Sequence, residues 1–295
     1  MNTVRALVDA QAAARPGDTY FIATETGRTL TFVELQHSCR RVAAYLARHG
    51  LQPGAHVSLV MPNGLATLRI LLGAMYGGYC VNPVNLQSGP EQMRYVLEHS
   101  DCALVFVAPE LAANVRELVA GLERPVGVIE VDPDAVVLPD EGDEGAEPVA
   151  PQADSLALLM YTSGTTGKPK GVMLTQSNLV ANAHTISAEH RLGPSDRVTA
   201  ILPLYHINAF AVTMLAPLAH GGSLAMPPRF SAGKFWEMAI GHECTWINMV
   251  PTIVSFLLEG PAPPKESLSR IRFCRSASRS TRHRALTTET SAAGR

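Results

Sequence analysis

Residues 158–171 read Leu-Leu-Met-Tyr-Thr-Ser-Gly-Thr-Thr-Gly-Lys-Pro-Lys-Gly. An apolar run leads directly into small hydroxyl residues, glycines and two lysines. Glycine tolerates backbone angles closed to other residues, so consecutive amides in such a loop can point one way and form a nest for an anion. Thr162, Ser163, Thr165 and Thr166 add hydroxyl donors, Gly164 and Gly167 supply the bends, and Lys168 and Lys170 add positive charge. Together they suit a polyphosphate. This is not a Walker A loop, which needs a longer gap between its glycines and a Ser or Thr after its lysine. Here Gly164 and Gly167 enclose only Thr165 and Thr166, and Pro169 follows Lys168. Proline also holds the preceding residue extended, so the loop should not run straight into a helix.

Outward from the loop, short apolar strands alternate with amphipathic helices. Thr31 and Glu34 have capping-box spacing. Behind them Leu35, Cys39, Val42 and Leu46 recur on one helical face, with Gly50 where the terminal cap belongs. His56 to Met61 reads as a strand, Pro62-Asn63-Gly64 as a turn, Leu65 to Tyr76 as a helix and Tyr79 to Val84 as a strand. Ser88 is placed to cap a helix whose first turn holds Pro90 and Glu91. Residues 103–107, 126–131 and 156–161 are further strands. Strands separated by helices require crossovers, so the expected fold is α/β: two-lobed and layered, with largely parallel sheets.

Two stretches break the alternation. Asp132 to Glu147 carries seven acidic residues, no basic ones, two prolines and two glycines. It reads as a solvated linker or surface loop (132–152) without chemistry, dividing lobes of about 1–131 and 153–278. From Arg275 onward the chain holds five arginines, one acid and almost no large apolar residue. That composition predicts an unstructured tail over 279–295, since it cannot bury enough surface to fold. A nucleic-acid-binding tail would need aromatic stacking partners, and none is interleaved there.

Composition narrows the function classes. The 295 residues are 46% hydrophobic and 17% charged, with a net charge of −2, so no global field draws the chain to nucleic acid or anionic membrane. Five scattered cysteines make no CxxC pair, so neither a zinc site nor a disulfide framework is indicated, and no metal site is identifiable. Val198 to Pro228 lacks Asp, Glu, Lys and Arg, but Pro203, His206, Asn208, Pro217 and Gly221-Gly222 interrupt it, favouring a buried strand–helix–strand over a membrane span. The first residues show no signal-peptide pattern, and a cytoplasmic location is expected.

The loop YTSGTTGKPKG (161–171) resembles the signature of the adenylate-forming superfamily, which includes acyl- and aryl-CoA ligases. Other stretches resemble its motifs in the same order: LTFVELQ (30–36), LLGAMYGGYCVNPVN (71–85), LPLYHINAF (202–210) and WINMVPTIVSFLL (246–258). Coverage is roughly residues 5–278. The resemblance implies joining a carboxylate to ATP, with loss of pyrophosphate, then passing the acyl group from AMP to CoA. It places Thr162, Ser163, Gly164, Thr165, Thr166, Gly167, Lys168 and Lys170 on the β- and γ-phosphates. It gives His206 a gating role at an acyl pocket lined by Asn208, Phe210, Val250, Pro251 and Thr252. Trp246, Met249, Phe256 and Leu257 read as plain core. PLYH at this point is as CoA ligases write it, and the apolar lining, with no cation in view, suggests a fatty or aromatic monocarboxylate. ATP with Mg2+, CoA and a carboxylic acid are the implied cofactor set and partners.

After Ser278 the motifs stop. The resemblance implies a magnesium-binding Thr-Glu motif, a ribose-binding aspartate and a small domain with a catalytic lysine, none of which follows. The expectation from sequence is the incomplete large N-terminal domain of such an enzyme, impaired in catalysis, with a frameshift near residue 279. A non-catalytic nucleotide- and acyl-binding remnant is the alternative.

Overall fold

The computed structural model describes residues 1–162 and 168–276. Helix α1 (Val4–Ala14) leads into the hairpin β1 (Thr19–Ala23) and β2 (Thr29–Thr31), then α2 (Phe32–Arg48). The next elements alternate: β3 (His56–Val60), α3 (Leu65–Tyr76), β4 (Cys80–Pro83), α4 (Pro90–His99), β5 (Cys102–Val107), α5 (Pro109–Ala120) and β6 (Gly127–Glu130). After the acidic segment come β7 (Leu156–Thr162), β8 (Lys170–Thr175), α6 (Gln176–Glu189) and β9 (Arg197–Thr199). A helical stretch follows in three pieces, α7 (Ile207–Ala209), a π-helical turn (Phe210–Leu215) and α8 (Ala216–His220). The described chain closes with β10 (Ser223–Met226), α9 (Phe235–Gly241), β11 (Trp246–Met249), α10 (Pro251–Glu259) and β12 (Phe273–Ser276).

These strands form two six-stranded sheets, ordered β6-β5-β3-β4-β7-β8 and β12-β11-β9-β10-β1-β2. Every pairing is parallel except the β7/β8 and β1/β2 hairpins. The architecture is the layered α/β fold expected from the alternation. Strand period sorts the first sheet's side chains: Val57, Leu59, Leu104 and Phe106 enter the main core, while Val60, Val105 and Val107 meet α4 and α5 on the opposite face.

Local chemistry explains the central helices. The Thr31 hydroxyl accepts from the Glu34 amide and the Glu34 carboxylate accepts from the Thr31 amide at 2.7 Å, closing the capping box. Leu35, Cys39, Val42 and Leu46 are buried, each large aliphatic one worth roughly 1.5–3 kcal/mol of burial. The helix stops where Gly50 takes φ +80°, a conformation closed to most residues. Against α2 lies α3, buried on every side. A Cβ on Gly73 would stand 2.5 Å from Val42 Cβ, so this glycine sets the closeness of the two helices. Residues 198–228 form the expected strand–helix–strand, and among the described residues no helix is long and apolar enough to cross a membrane.

Four expectations need correction. Asp132 to Glu147 is a surface loop, but its acids are not all solvated. Glu141 is only 4% exposed and accepts from Arg69 and, at 3.1 Å, from Arg41, while Glu144 pairs with His37 and Arg40 and Glu147 with Arg5. Its compensating cations sit on α1, α2 and α3, far away in sequence, so the segment is a strap tied over those helices. Nor does it divide the sheets: β1 and β2 precede it yet join the second sheet, while β7 and β8 follow it yet join the first. Helix α4 is capped by Gly89 without a side-chain bond; Ser88 instead donates its amide to the Asn85 carbonyl. Phe256 is 48% exposed, whereas Trp246, Met249 and Leu257 are core. Ahead of the expected tail, Arg275 and Ser276 complete β12, continuing the pairing of Phe273 and Cys274 with β11.

Candidate functional site

The stretch expected to be a polyphosphate loop falls in sequence between two antiparallel strands, β7 and β8. Thr162 ends β7 and pairs with Lys170 at the start of β8, and Tyr161 pairs with Gly171. The chain leaves the loop as strand β8 and not as a helix, in keeping with Pro169. Thr162, Lys168 and Lys170 are exposed at this end of the hairpin. Ser163, Gly164, Thr165, Thr166 and Gly167 lie outside the described residues, and so does the expected convergence of their donors. The stem is held from α4. The Tyr161 hydroxyl meets His99 Nδ1 at 2.8 Å, their rings contact edge to face, and Lys168 Nζ lies 5.7 Å from the centre of the Tyr95 ring. Burial pushes the Tyr161 phenol well above its ordinary pKa, so it stays a neutral hydrogen-bonding post.

The residues expected to line the acyl pocket lie on two segments that follow strands β9 and β11 of the second sheet. His206 is exposed at the turn into α7, its ring edge-on to Tyr205 at 4.8 Å. Loss of hydration among its neighbours lowers its pKa, favouring the neutral imidazole. Asn208 is partly buried, and Phe210 is fully buried in the core. Val250 precedes α10, Pro251 opens it and Thr252 is exposed on its first turn. Two residues that sequence reasoning did not single out tie these pieces down. Asn63, in the turn after β3, donates to the Leu202 carbonyl at 3.0 Å and accepts from the Leu204 amide at 3.0 Å, fixing the Leu202–Tyr205 segment to the first sheet. Arg275 Nη1 donates to Asn208 Oδ1 at 2.7 Å and Asn248 Oδ1 at 2.9 Å, joining β12, β11 and the entry to α7. A cation therefore does stand beside the expected lining, contrary to the sequence reading. Alternation through Phe273-Cys274-Arg275-Ser276 was the available signal.

A separate cleft of about 530 Å³ opens between β10 and α9, lined among others by Thr24, Arg229, Phe230, Lys234 and His242. Among the described residues it includes none of those expected for the loop or the acyl pocket. Among the described residues no group of three or more His, Cys, Asp or Glu side chains is placed to hold a metal ion.

Comparison with known proteins decides the family. The profile of the AMP-binding enzyme family matches residues 8–289, nearly the whole chain and past Ser278, where the separate motifs stop. The chain belongs to the AMP-binding enzymes. Within that family it is 49% identical, over 280 residues, to the sulfoacetate–CoA ligase of Cupriavidus necator, covering 94% of this chain and 55% of the relative. The oxalate–CoA ligase of Arabidopsis thaliana is 31% identical, with 85% of this chain and 51% of that protein covered. ATP-bound MatB from Rhodopseudomonas palustris superposes with a TM-score of 0.86 at 26% identity, covering 99% of this chain and 58% of that one. The chain thus spans about half the length of the curated relatives it matches, and its two sheets are those of the N-terminal part of acyl-CoA ligases.

Proposed function

We propose that this chain supplies the ATP-tail and acid-holding parts of an ATP-dependent acid–CoA ligase. In the reaction a substrate carboxylate oxygen attacks the α-phosphorus of ATP, the bond to the β-phosphate oxygen breaks, and pyrophosphate leaves. The thiolate of CoA then attacks the acyl carbon, and AMP departs with the carboxylate oxygen. Thr162, Lys168 and Lys170, with Ser163 to Gly167 between them, hold the β- and γ-phosphates. Their task is to neutralise the leaving pyrophosphate. A preorganised donor of this kind is worth roughly 3–4 kcal/mol. The loop contributes no nucleophile, since the carboxylate is one already. His206 guards the entrance to the acid, with Asn208, Val250, Pro251 and Thr252 around it, and Phe210 packs behind.

The observation that carries this reading is the β7–β8 hairpin, which fixes Thr162 opposite Lys170 at both ends of a loop matching the family's signature. ATP, a carboxylic acid and CoA follow as substrates, and a cytoplasmic location is in keeping with them. Magnesium would accompany the triphosphate. The described residues offer no carboxylate cluster for it, so no step is assigned to it. The similarity to a sulfoacetate–CoA ligase supports a short polar acid in place of the fatty or aromatic one first expected.

Two measurements on the purified chain test the proposal. Calorimetry should show ATP binding that Lys168→Ala and Lys170→Ala together weaken, and acid-dependent exchange of labelled pyrophosphate into ATP should report adenylate formation. Binding without exchange would mark a nucleotide- and acyl-binding module. No ATP binding at all would refute the assignment.

A further inference from the structure

Strands β11 and β12 run parallel with Asn248 opposite Arg275, so their side chains share one face of the second sheet. Asn208 reaches the same guanidinium from the entry to α7. Both amide oxygens are thereby used, each accepting from Arg275 Nη1. The two Nδ2 groups are left over: those of Asn208 and Asn248 are buried and find no acceptor among the described residues. Arg275 itself is partly buried and has no carboxylate partner among the described residues. The cluster therefore holds one fixed positive charge, two unused amide donors and no negative group.

A purely structural brace would be complete with its two hydrogen bonds. The two buried amide groups beside it are donors that a ligand could use. Burial without a counter-charge lowers the Arg275 pKa, though a guanidinium stays protonated at any ordinary pH. What the cluster lacks is an oxyanion: an acceptor with two or three oxygens that takes the guanidinium fork and the neighbouring amides together. The position fits. Asn208 is two residues past His206, and Asn248 is two residues before Val250, so the cluster lies between the two halves of the acyl pocket.

Resting on the CoA-ligase reading, we propose that Arg275, Asn208 and Asn248 form the recognition site for a second anionic group on the acid, at the end opposite the carboxylate that is activated. The substrate class is then a short dianion whose distal group is a sulfonate or a carboxylate. Discrimination works in both directions. A dianion pairs the guanidinium, whereas a fatty or aromatic acid would press an apolar chain against an unpaired charge.

The test is thermal-shift titration of the full chain with sulfoacetate, malonate, propionate and hexanoate, with ATP binding measured separately. The two dianions should bind and the two monoanions should bind at least about tenfold more weakly, the loss expected when a charge-assisted hydrogen bond has no partner. The ranking of sulfoacetate against malonate tells sulfonate from carboxylate. Arg275→Met should erase the preference, and Asn208→Ala, which keeps the β11–β12 pairing, should reduce it. Equal binding of monoanions and dianions, binding of no acid, or an undiminished preference in either variant would overturn the proposal. The wild-type ranking alone decides if Arg275→Met does not fold. Loss of ATP binding with the acid preference intact would instead count against the ligase reading.

Discussion

Replacing Glu141 with alanine strips the buried guanidinium of Arg69 of its carboxylate. Both side chains are almost completely enclosed, and Glu141 also accepts from the Leu138 amide and from Arg41. Arg41 is about a third exposed and water can replace its partner, so its share is small. Arg69 has no such recourse. It keeps only the Ser38 hydroxyl, and its Nη1 already lacks an acceptor. Breaking a buried pair from one side costs about 3–5 kcal/mol, because the surviving charge stays dry and unpaired. Across a chain of this size that corresponds to a fall in Tm on the order of 10 °C. Urea denaturation followed by circular dichroism measures it. The reasoning has a second, sharper consequence: Arg69→Met with Glu141→Leu removes both charges and should recover most of the loss, since an apolar pair of similar volume is often as stable as a buried ion pair. A single variant as stable as the wild type, or a double variant no better than the single, would show that the strap is not held by this pair.

Three further outcomes follow from the packing. Asn63→Ala removes both bonds to the Leu202–Leu204 backbone and should destabilise the chain by about 1–3 kcal/mol in urea melts, leaving a buried amide and carbonyl unpaired. Gly73→Ala drives a methyl into Val42 and should cost about 1–3 kcal/mol, with Val42→Ala in the same chain relieving part of the clash; additive losses would refute the contact. Burial holds the His220 imidazole down at about 4, with Ser187 Oγ 3.0 Å from its Nδ1. The unfolded chain takes up this proton near pH 6.5 and the folded one only near 4. Stability from this site is therefore complete above about pH 6.5 and is lost as pH falls toward 4, by roughly 3 kcal/mol in all. His220→Phe should flatten that part of the stability–pH curve measured by denaturant titration.

Elements defined by their own residues could be read in advance. Helix α3 falls on Leu65–Tyr76 because a turn precedes it and glycines follow, and α2 begins where the Thr31–Glu34 box begins. What escaped reading were the long-range partnerships. The acids of 132–147 looked solvated because their partners lie on α1, α2 and α3, with Arg69 72 residues from Glu141. Nothing local tells β1 to pair with β10 in place of β3. At the site, the strand entering the expected phosphate loop was legible from its apolar run, and Pro169 spoke against a helix directly after it; the returning strand β8 was not read. Arg275 was not, because an arginine followed by serines and more arginines has the composition of a tail. Only its pairing with Asn248 across β11 reveals that it belongs to a strand.

The interleaving of the two sheets has a cost in time. Phe21 pairs with Leu224, so β1 meets its parallel neighbour only after some two hundred further residues have been made. At ordinary translation speed, about 5–20 residues per second, that delay is roughly ten to forty seconds. Throughout it Tyr20 and Phe21, fully enclosed in the finished molecule, have no parallel strand beside them. The nascent chain should therefore be a client for holding chaperones until β10 leaves the ribosome.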